Sequence, residues 1–300
     1  LELKALINAL NGVLFGQERT IKALVATAIA GGHALFEGLP GLGKTLLAES
    51  FARASGLSHK RIQFTPDLLP ADITGTEVFR NGAFTFEPGP IFAQVVLADE
   101  INRAPPKTQA ALLEAMQEGM VSTGGTRHPL PQPFMVLATE NPIEVEGTYP
   151  LPEAQLDRFM AKIEIAAPRR EVWLRILSEE PESPPQVVSP EAFLEARAQA
   201  QAVKVPSSAL EAMINTAFLS AEDPNLRFGL SPRGVKAWLR LAKAWAYLEG
   251  RAHTEWEDLR TSATFALPHR LFLTEEAMFD GVRVEEVLER LLERSMPKAR

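Results

Sequence analysis

Eight consecutive residues constrain this chain more than anything else in it. Gly38-Leu39-Pro40-Gly41-Leu42-Gly43-Lys44-Thr45 fits the pattern G-x-x-x-x-G-K-[ST] without a mismatch. Glycines in such a loop let the backbone curl so that several N–H groups point inward at phosphate oxygens. A lysine in the place of Lys44 reaches the β- and γ-phosphates, and a hydroxyl in the place of Thr45 holds Mg²⁺. With glycine at about 7% of residues, the pattern arises by chance in roughly one chain in a hundred of this size. A plain flexible turn is the competing explanation, and the flanks argue against it. Residues 33–36 are a short apolar run that predicts a buried strand, and Leu46 opens a helix-forming stretch over 46–52. Strand, glycine loop and helix N-terminus together bind phosphate. The expected ligand is a nucleoside triphosphate, contacted by residues 38–45 and by Leu46.

Two further apolar runs end in residues suited to triphosphate chemistry. Val95-Val96-Leu97-Ala98 reads as a buried parallel strand and is followed by Asp99-Glu100. The carboxyl ends of such strands are where open α/β sheets bind ligands. Asp99 is placed to hold Mg²⁺, directly or through water, and Glu100 to act as general base on the attacking water. Residues 134–139 form a third apolar run, after which come Glu140-Asn141-Pro142. Asn141 can orient water jointly with Glu100, because an amide both donates and accepts. An acidic pair closing a strand and an Asn-Pro turn are the plainer readings. The phosphate loop upstream favours the chemical ones.

Composition removes several alternatives. The 300 residues contain no cysteine, so disulfides and thiolate metal sites are excluded, and the five histidines have no metal-ligand spacing. The longest uncharged apolar run, between Lys22 and Glu37, falls short of the about 20 residues that span a bilayer. No secretory signal is visible, and a chain starting at Leu1 leaves the native N-terminus open. A cytoplasmic location is expected. Net charge is −7, which disfavours general nucleic-acid binding, where Lys and Arg must neutralise phosphates.

The three motifs resemble Walker A, Walker B and sensor 1 of an AAA+ ATPase. More specific is the run Leu97-Ala98-Asp99-Glu100-Ile101-Asn102-Arg103-Ala104-Pro105-Pro106-Lys107-Thr108-Gln109. Together with residues 151–159 and 63–75, it resembles the MoxR family of AAA+ proteins, and the likeness extends over nearly the whole chain. The resemblance implies an α/β fold: a P-loop module with a parallel five-stranded sheet flanked by helices, followed by a helical lid. It implies ATP and Mg²⁺ as cofactors. It places Arg158 as an arginine finger serving ATP on a neighbouring subunit, where a fixed guanidinium charge stabilises phosphoryl transfer. A surface ion pair of Arg158 with Asp157 is the plainer reading of those two residues. Arg233, in Ser231-Pro232-Arg233-Gly234, matches sensor 2, with Ser231 as N-cap and Pro232 in the first turn of a helix. Gly16-Gln17 resembles the segment bordering the adenine. Whether Arg233 acts on its own subunit's nucleotide or on a neighbour's stays open.

Local patterns complete the organisation. Asn81-Gly82 between alternating runs predicts a hairpin over 76–87, which resembles the helix-2 insert, and Gly124-Gly125 predicts a second hairpin before the third strand. Residues 180–185 have linker composition, dividing a large α/β domain over 1–180 from a small helical domain over 181–300. In the second, Val235, Trp238, Leu239, Ala242, Trp245 and Ala246 share a helical face, and Thr254 with Glu257 suggests a capping box. ATP is expected in the crevice between sheet and lid, with hinge motion between them driven by γ-phosphate contacts.

Three functions fit. The resemblance favours a chaperone-like remodeller that hydrolyses ATP in a self-associated ring of six subunits. It would act with a von Willebrand factor A-domain protein as co-chaperone, and would mature, activate or insert metal into a client protein. A nucleic-acid motor of the helix-2-insert clade is the second reading, disfavoured by hairpins offering only Arg80, Arg127 and His128. A low-turnover nucleotide-dependent scaffold is the third, and it has no need of Glu100, Asn141 and Arg158.

Overall fold

In the computed structural model, which describes residues 2–142 and 147–298, the apolar runs become neighbouring strands. Helices α1 (Glu2–Asn11) and α2 (Glu18–Ile29) lead into β1 (Ala34–Glu37), α3 (Lys44–Ala54) and β2 (His59–Gln63). Next come a short α4 (Pro70–Thr74), the hairpin β3 (Gly75–Arg80) and β4 (Ala83–Pro88), then β5 (Val95–Asp99) and α5 (Pro106–Glu118). A second hairpin, β6 (Met120–Thr123) and β7 (Thr126–Pro129), precedes β8 (Met135–Glu140), α6 (Glu153–Leu156), β9 (Ala161–Glu164) and α7 (Arg170–Ser178). The remainder is helical: α8 (Pro190–Gln201), α9 (Ser207–Glu222), α10 (Pro232–Leu248), α11 (Trp256–Ala266), α12 (Glu275–Phe279) and α13 (Val284–Ser295).

Strands β2, β5, β8, β1 and β9 form one sheet in that order, and every pairing is parallel. Parallel sheets need both faces covered, and alternate side chains here do enter two different interiors. Phe36, Leu97, Leu137 and Ile163 join a cluster with α2, α3 and the C-terminal helices. Leu35, Val96, Ala98 and Val136 join another with Leu112, Leu113 and Met116 of α5. The first cluster is continuous: it runs from Phe36 and Phe51 through Leu24 and Phe193 to Trp238, Leu241 and Leu291. The helical unit is thus packed onto the sheet unit through α2, which meets both α8 and α10. Among the described residues, no helix is long and apolar enough to cross a membrane.

Both hairpins form where the glycine dipeptides put them. Asn81 and Gly82 have φ of 50° and 81°, the pair of positive values that a two-residue hairpin turn requires. Phe86 stacks on His128 of the second hairpin at 3.8 Å between ring centroids, so the hairpins pack on each other. Phe79 and Phe84 pair at the exposed end. The Ser231 hydroxyl caps α10 by accepting from the Gly234 N–H at 3.1 Å. The capping box of α11 falls one residue later than expected. Glu255 is the N-cap and its N–H donates to Asp258 at 2.7 Å, while Thr254 is buried and its N–H donates to the Lys204 carbonyl instead. That β-bridge-like tie to residue 204 overrides the local capping preference.

Candidate active site

The glycine loop leaves the carboxyl end of β1, and Gly41 and Gly43 take positive φ of 83° and 91°. Gly43 is the N-cap of α3, where no side chain caps the first turn, so its leading N–H groups are available to an anion. Packing restricts both ends of the loop as well. A Cβ on Gly43 would lie 2.6 Å from Leu14 Cδ1, and one on Gly38 would lie 2.9 Å from the Ile165 carbonyl. Leu39, Pro40, Gly41 and Leu46 are exposed along the loop's open side, and Leu42 and Thr45 are half-buried. Lys44 Nζ donates to the Gly38 carbonyl at 2.6 Å and the Glu140 carbonyl at 3.3 Å. Burial pulls the Lys44 pKa down, while Asp99, Glu100, Glu140 and Glu37 favour its charged form.

The ends of β5 and β8 meet beside this loop. Asp99 is buried, and one of its oxygens accepts from Thr139 Oγ1 at 2.7 Å. Its other oxygen lies 3.5 Å from Thr45 Oγ1 and accepts from Arg61 Nε at 3.0 Å. Glu100 has a left-handed backbone (φ 54°), an uncommon conformation for a residue with a side chain. Its N–H donates to Thr139 Oγ1 at 2.8 Å, and its carboxylate accepts from Gln63 Nε2 at 3.2 Å and Arg103 Nη1 at 3.3 Å. Asn141 follows β8 on the same edge, where its carbonyl accepts from Asn102 Nδ2 at 3.4 Å. Thr45 and Asp99 offer adjacent hard oxygens, which fits Mg²⁺; that ion typically takes one or two protein ligands and fills its octahedron with phosphates and water. The Arg61 guanidinium on Asp99 marks the same spot as one that attracts a cation.

Gly16 and Gln17 lie against the neighbouring strand end. Gln17 Nε2 donates to the Ala166 carbonyl at 3.0 Å, next to the Ile165 that touches Gly38. Gly16 has φ 71°, and a Cβ there would come 2.6 Å from Val172 of α7. The segment is therefore fixed to the loop's surroundings by close backbone approach.

Arg158 and Arg233 lie elsewhere. They line a cleft of about 450 Å³ with Gly32, His33, Asp157, Lys236, Arg240 and Arg270. His33 precedes β1, and Arg158 precedes β9, so this cleft sits at the amino ends of the strands. The glycine loop sits at their carboxyl ends. From His33 to Gly38 the extended chain covers about 16 Å at roughly 3.3 Å per residue, further than an arginine side chain reaches. Of the two placements left open for Arg233, its own chain's phosphates lie out of reach, and the cleft it lines is not the ATP crevice expected between sheet and lid. The reason is the packing of α10 on α2, which carries its N-terminus to the far edge. Nor do Asp157 and Arg158 form the plain surface pair. Asp157 accepts from Arg270 Nε at 2.7 Å and lies 3.6 Å from Arg233 Nη1, leaving Arg158 half-buried in the cleft.

Arg61, Gln63, Thr139 and Arg270 were not singled out by the sequence. Each acts through a partner 37 or more positions away, which no local pattern encodes.

Residues 33–161 match the family described as "ATPase family associated with various cellular activities (AAA)", and residues 219–291 match the AAA lid domain. The chain is 41% identical to an uncharacterised protein, YeaC, of Bacillus subtilis strain 168, over 95% of this chain and 92% of that one. It is 40% identical to Chaperone MoxR1 of Mycobacterium tuberculosis strain H37Rv, over 94% of this chain and 78% of that one. The crystal structure of a candidate ATPase from Cytophaga hutchinsonii superposes with a TM-score of 0.90 at 38% identity, covering 100% of this chain and 95% of that one.

Proposed function

The chain belongs to the MoxR family of AAA+ ATPases, and on that premise we propose that it hydrolyses ATP at sites shared between neighbouring copies in a closed ring. One observation carries this reading: the phosphate loop and the Arg158–Arg233 cleft occupy opposite edges of one sheet. Arg158, Arg233, Lys236 and Arg240, with the buried Arg270 behind them, outnumber the single carboxylate of Asp157 and suit the cleft to the phosphates of another copy's nucleotide. Both arginines then act in trans.

Within the receiving site, residues 38–46 hold the triphosphate, Lys44 its β- and γ-groups, and Gly16-Gln17 border the base. Thr45 and Asp99 would hold Mg²⁺, which would supply charge neutralisation at the phosphates. Glu100 accepts the proton of the attacking water, and Asn141 orients that water. Arg158 and Arg233 from the adjoining copy stabilise the charge that develops on the transferred phosphoryl group. Residues 1–180 handle the nucleotide, and 181–300 form the helical unit that carries Arg233.

The work done is chaperone-like remodelling of a client protein, its maturation, activation or metal loading, in a ring of six copies with a von Willebrand factor A-domain protein as co-chaperone. Support comes from the likeness to a chaperone and from the hairpin end, where Phe79 and Phe84 present apolar surface. The nucleic-acid reading loses ground here. Arg80 is ion-paired with Glu87 at 2.7 Å, and His128 is stacked beneath Phe86.

The test is a mixture of Glu100→Gln and Arg158→Ala proteins, reassembled so that subunits exchange. Each is expected to be inactive alone and the mixture active, since an intact Glu100 then meets an intact Arg158 across a boundary. No recovery, with exchange verified, would put both groups in one copy's site and end the shared-site reading.

A further inference from the structure

One side chain in the arginine cleft is held on every side. Arg270 closes the 3-10 turn Pro268–Arg270 of the helical unit and is 5% exposed. A guanidinium has five N–H donors, and all five are engaged. Nε donates to Asp157 Oδ1 at 2.7 Å. Nη2 donates to the carbonyls of Asp157 at 2.9 Å and Phe159 at 2.8 Å. Nη1 donates to the carbonyls of Met160 at 3.1 Å and Ala266 at 2.5 Å. The adjacent His269 Nε2 also bonds the Phe159 carbonyl, at 2.7 Å. Four of the five bonds thus fall on residues 157–160, the short stretch that carries Arg158.

Two more contacts extend the arrangement. The second oxygen of Asp157 faces Arg233, so one carboxylate ties Arg270 to Arg233. Gly234, the residue after Arg233, leaves the room that the Arg270 stem occupies: a Cβ there would lie 2.8 Å from Arg270 Cδ. Joining the two units does not need any of this. They already share an apolar interior, and a buried charge is a costly way to add adhesion. What a five-bond guanidinium adds is direction, fixing the backbone on both sides of one residue.

We propose that Arg270 is a positioning residue for the two arginines of the cleft, setting Arg158 through the backbone of 157–160 and Arg233 through Asp157. This rests on the reading that Arg158 and Arg233 serve a neighbour's ATP. Arg270 itself touches no nucleotide. The position of the helical unit on one copy is thereby converted into the aim of the groups it offers to the next.

The test uses Arg270→Lys, which keeps the charge but cannot serve the five acceptors that a planar guanidinium reaches, and Asp157→Asn, which keeps the shape. Misplacing a catalytic group by about 1 Å costs up to roughly a hundredfold in rate, so kcat is expected to fall at least about tenfold in each. KM for ATP should stay put, because the phosphate loop is untouched. Mixing either variant with Glu100→Gln protein should restore activity, since that partner donates a well-aimed Arg158 to an intact site. Mixing with Arg158→Ala should not, since neither partner then donates one. Recovery with Arg158→Ala, no recovery with Glu100→Gln, or full activity of Asp157→Asn alone would overturn the proposal. Should Arg270→Lys fail to fold, Asp157→Asn is read through the same mixtures. The control mixture of Glu100→Gln with Arg158→Ala separates the two ideas. If it fails, the shared site falls; if it recovers while the positioning variants misbehave, only Arg270's role falls.

Discussion

Gly234→Ala sets two effects of known size against each other. Gly234 lies in the first turn of α10 with no positive φ, where alanine is worth up to about 1 kcal/mol more than glycine. Taken alone, helix propensity makes the substitution stabilising. The new methyl, however, would sit 2.8 Å from Arg270 Cδ and 3.3 Å from Nε. A free arginine stem would swing away, but this one is pinned at its head by five hydrogen bonds. Forcing a methyl into such a place costs about 1–3 kcal/mol. The net expectation is a loss of about 1–2 kcal/mol. With an unfolding entropy of about 2.1 cal/mol/K per residue, that lowers the Tm of this 300-residue chain by about 2–3 °C. Scanning calorimetry on wild type and Gly234→Ala measures it. In an Arg270→Ala background the obstruction is gone and the same substitution should raise the Tm by about 1–2 °C. A rise in wild type, or the same sign in both backgrounds, would refute the claim that Gly234 exists to make room for Arg270.

Two other expectations follow from the site. Gln63→Leu removes the amide that holds the Glu100 carboxylate, a half-exposed interaction worth about 1 kcal/mol; basal ATP turnover should rise about fivefold, and a fall in kcat would count against Gln63 as a restraint. Burial first, and then Glu37, raises the pKa of Glu140, so the folded chain holds that proton more tightly than the unfolded chain. Its contribution to stability is therefore present below the unfolded pKa and lost as pH rises through the folded one. Glu140→Gln should then raise the Tm at pH 7, with the gain fading as pH drops through the carboxylate range, and an equal gain at every pH would contradict the assignment.

Sequence and structure agree best where the physics is local. The glycine loop, the strand ends at Asp99 and Asn141, the Asn81-Gly82 turn and the Ser231 cap are all set by residues within a few positions of each other. The central strands β1, β5 and β8 follow because they are short apolar runs with nowhere else to go. What stayed hidden depends on distance along the chain. Strand β2 carries Arg61 and Gln63 among mostly exposed residues, so no hydrophobic pattern announces it. Its importance comes only from pairing beside β5, which lines Gln63 up with Asp99. Asp157 and Arg270 are 113 positions apart, and each reads in isolation as an ordinary surface charge. The place of Arg233 was illegible for a related reason. Its motif specifies a helix start, whereas the packing of that helix on α2 decides which edge of the sheet it reaches.

That packing also bears on how force travels through the molecule. Prising the helical unit from the sheet unit would bring side chains such as Leu24, Phe193 and Trp238 into water, at about 1.5–3 kcal/mol for each fully buried aliphatic or phenyl group. A clamshell motion within one chain is therefore expensive. In the proposed ring, each copy would act as a single stiff lever, with a nucleotide seated at one end and two arginines mounted at the other. A torque applied at the first end would be delivered, with little lost to internal bending, at the second.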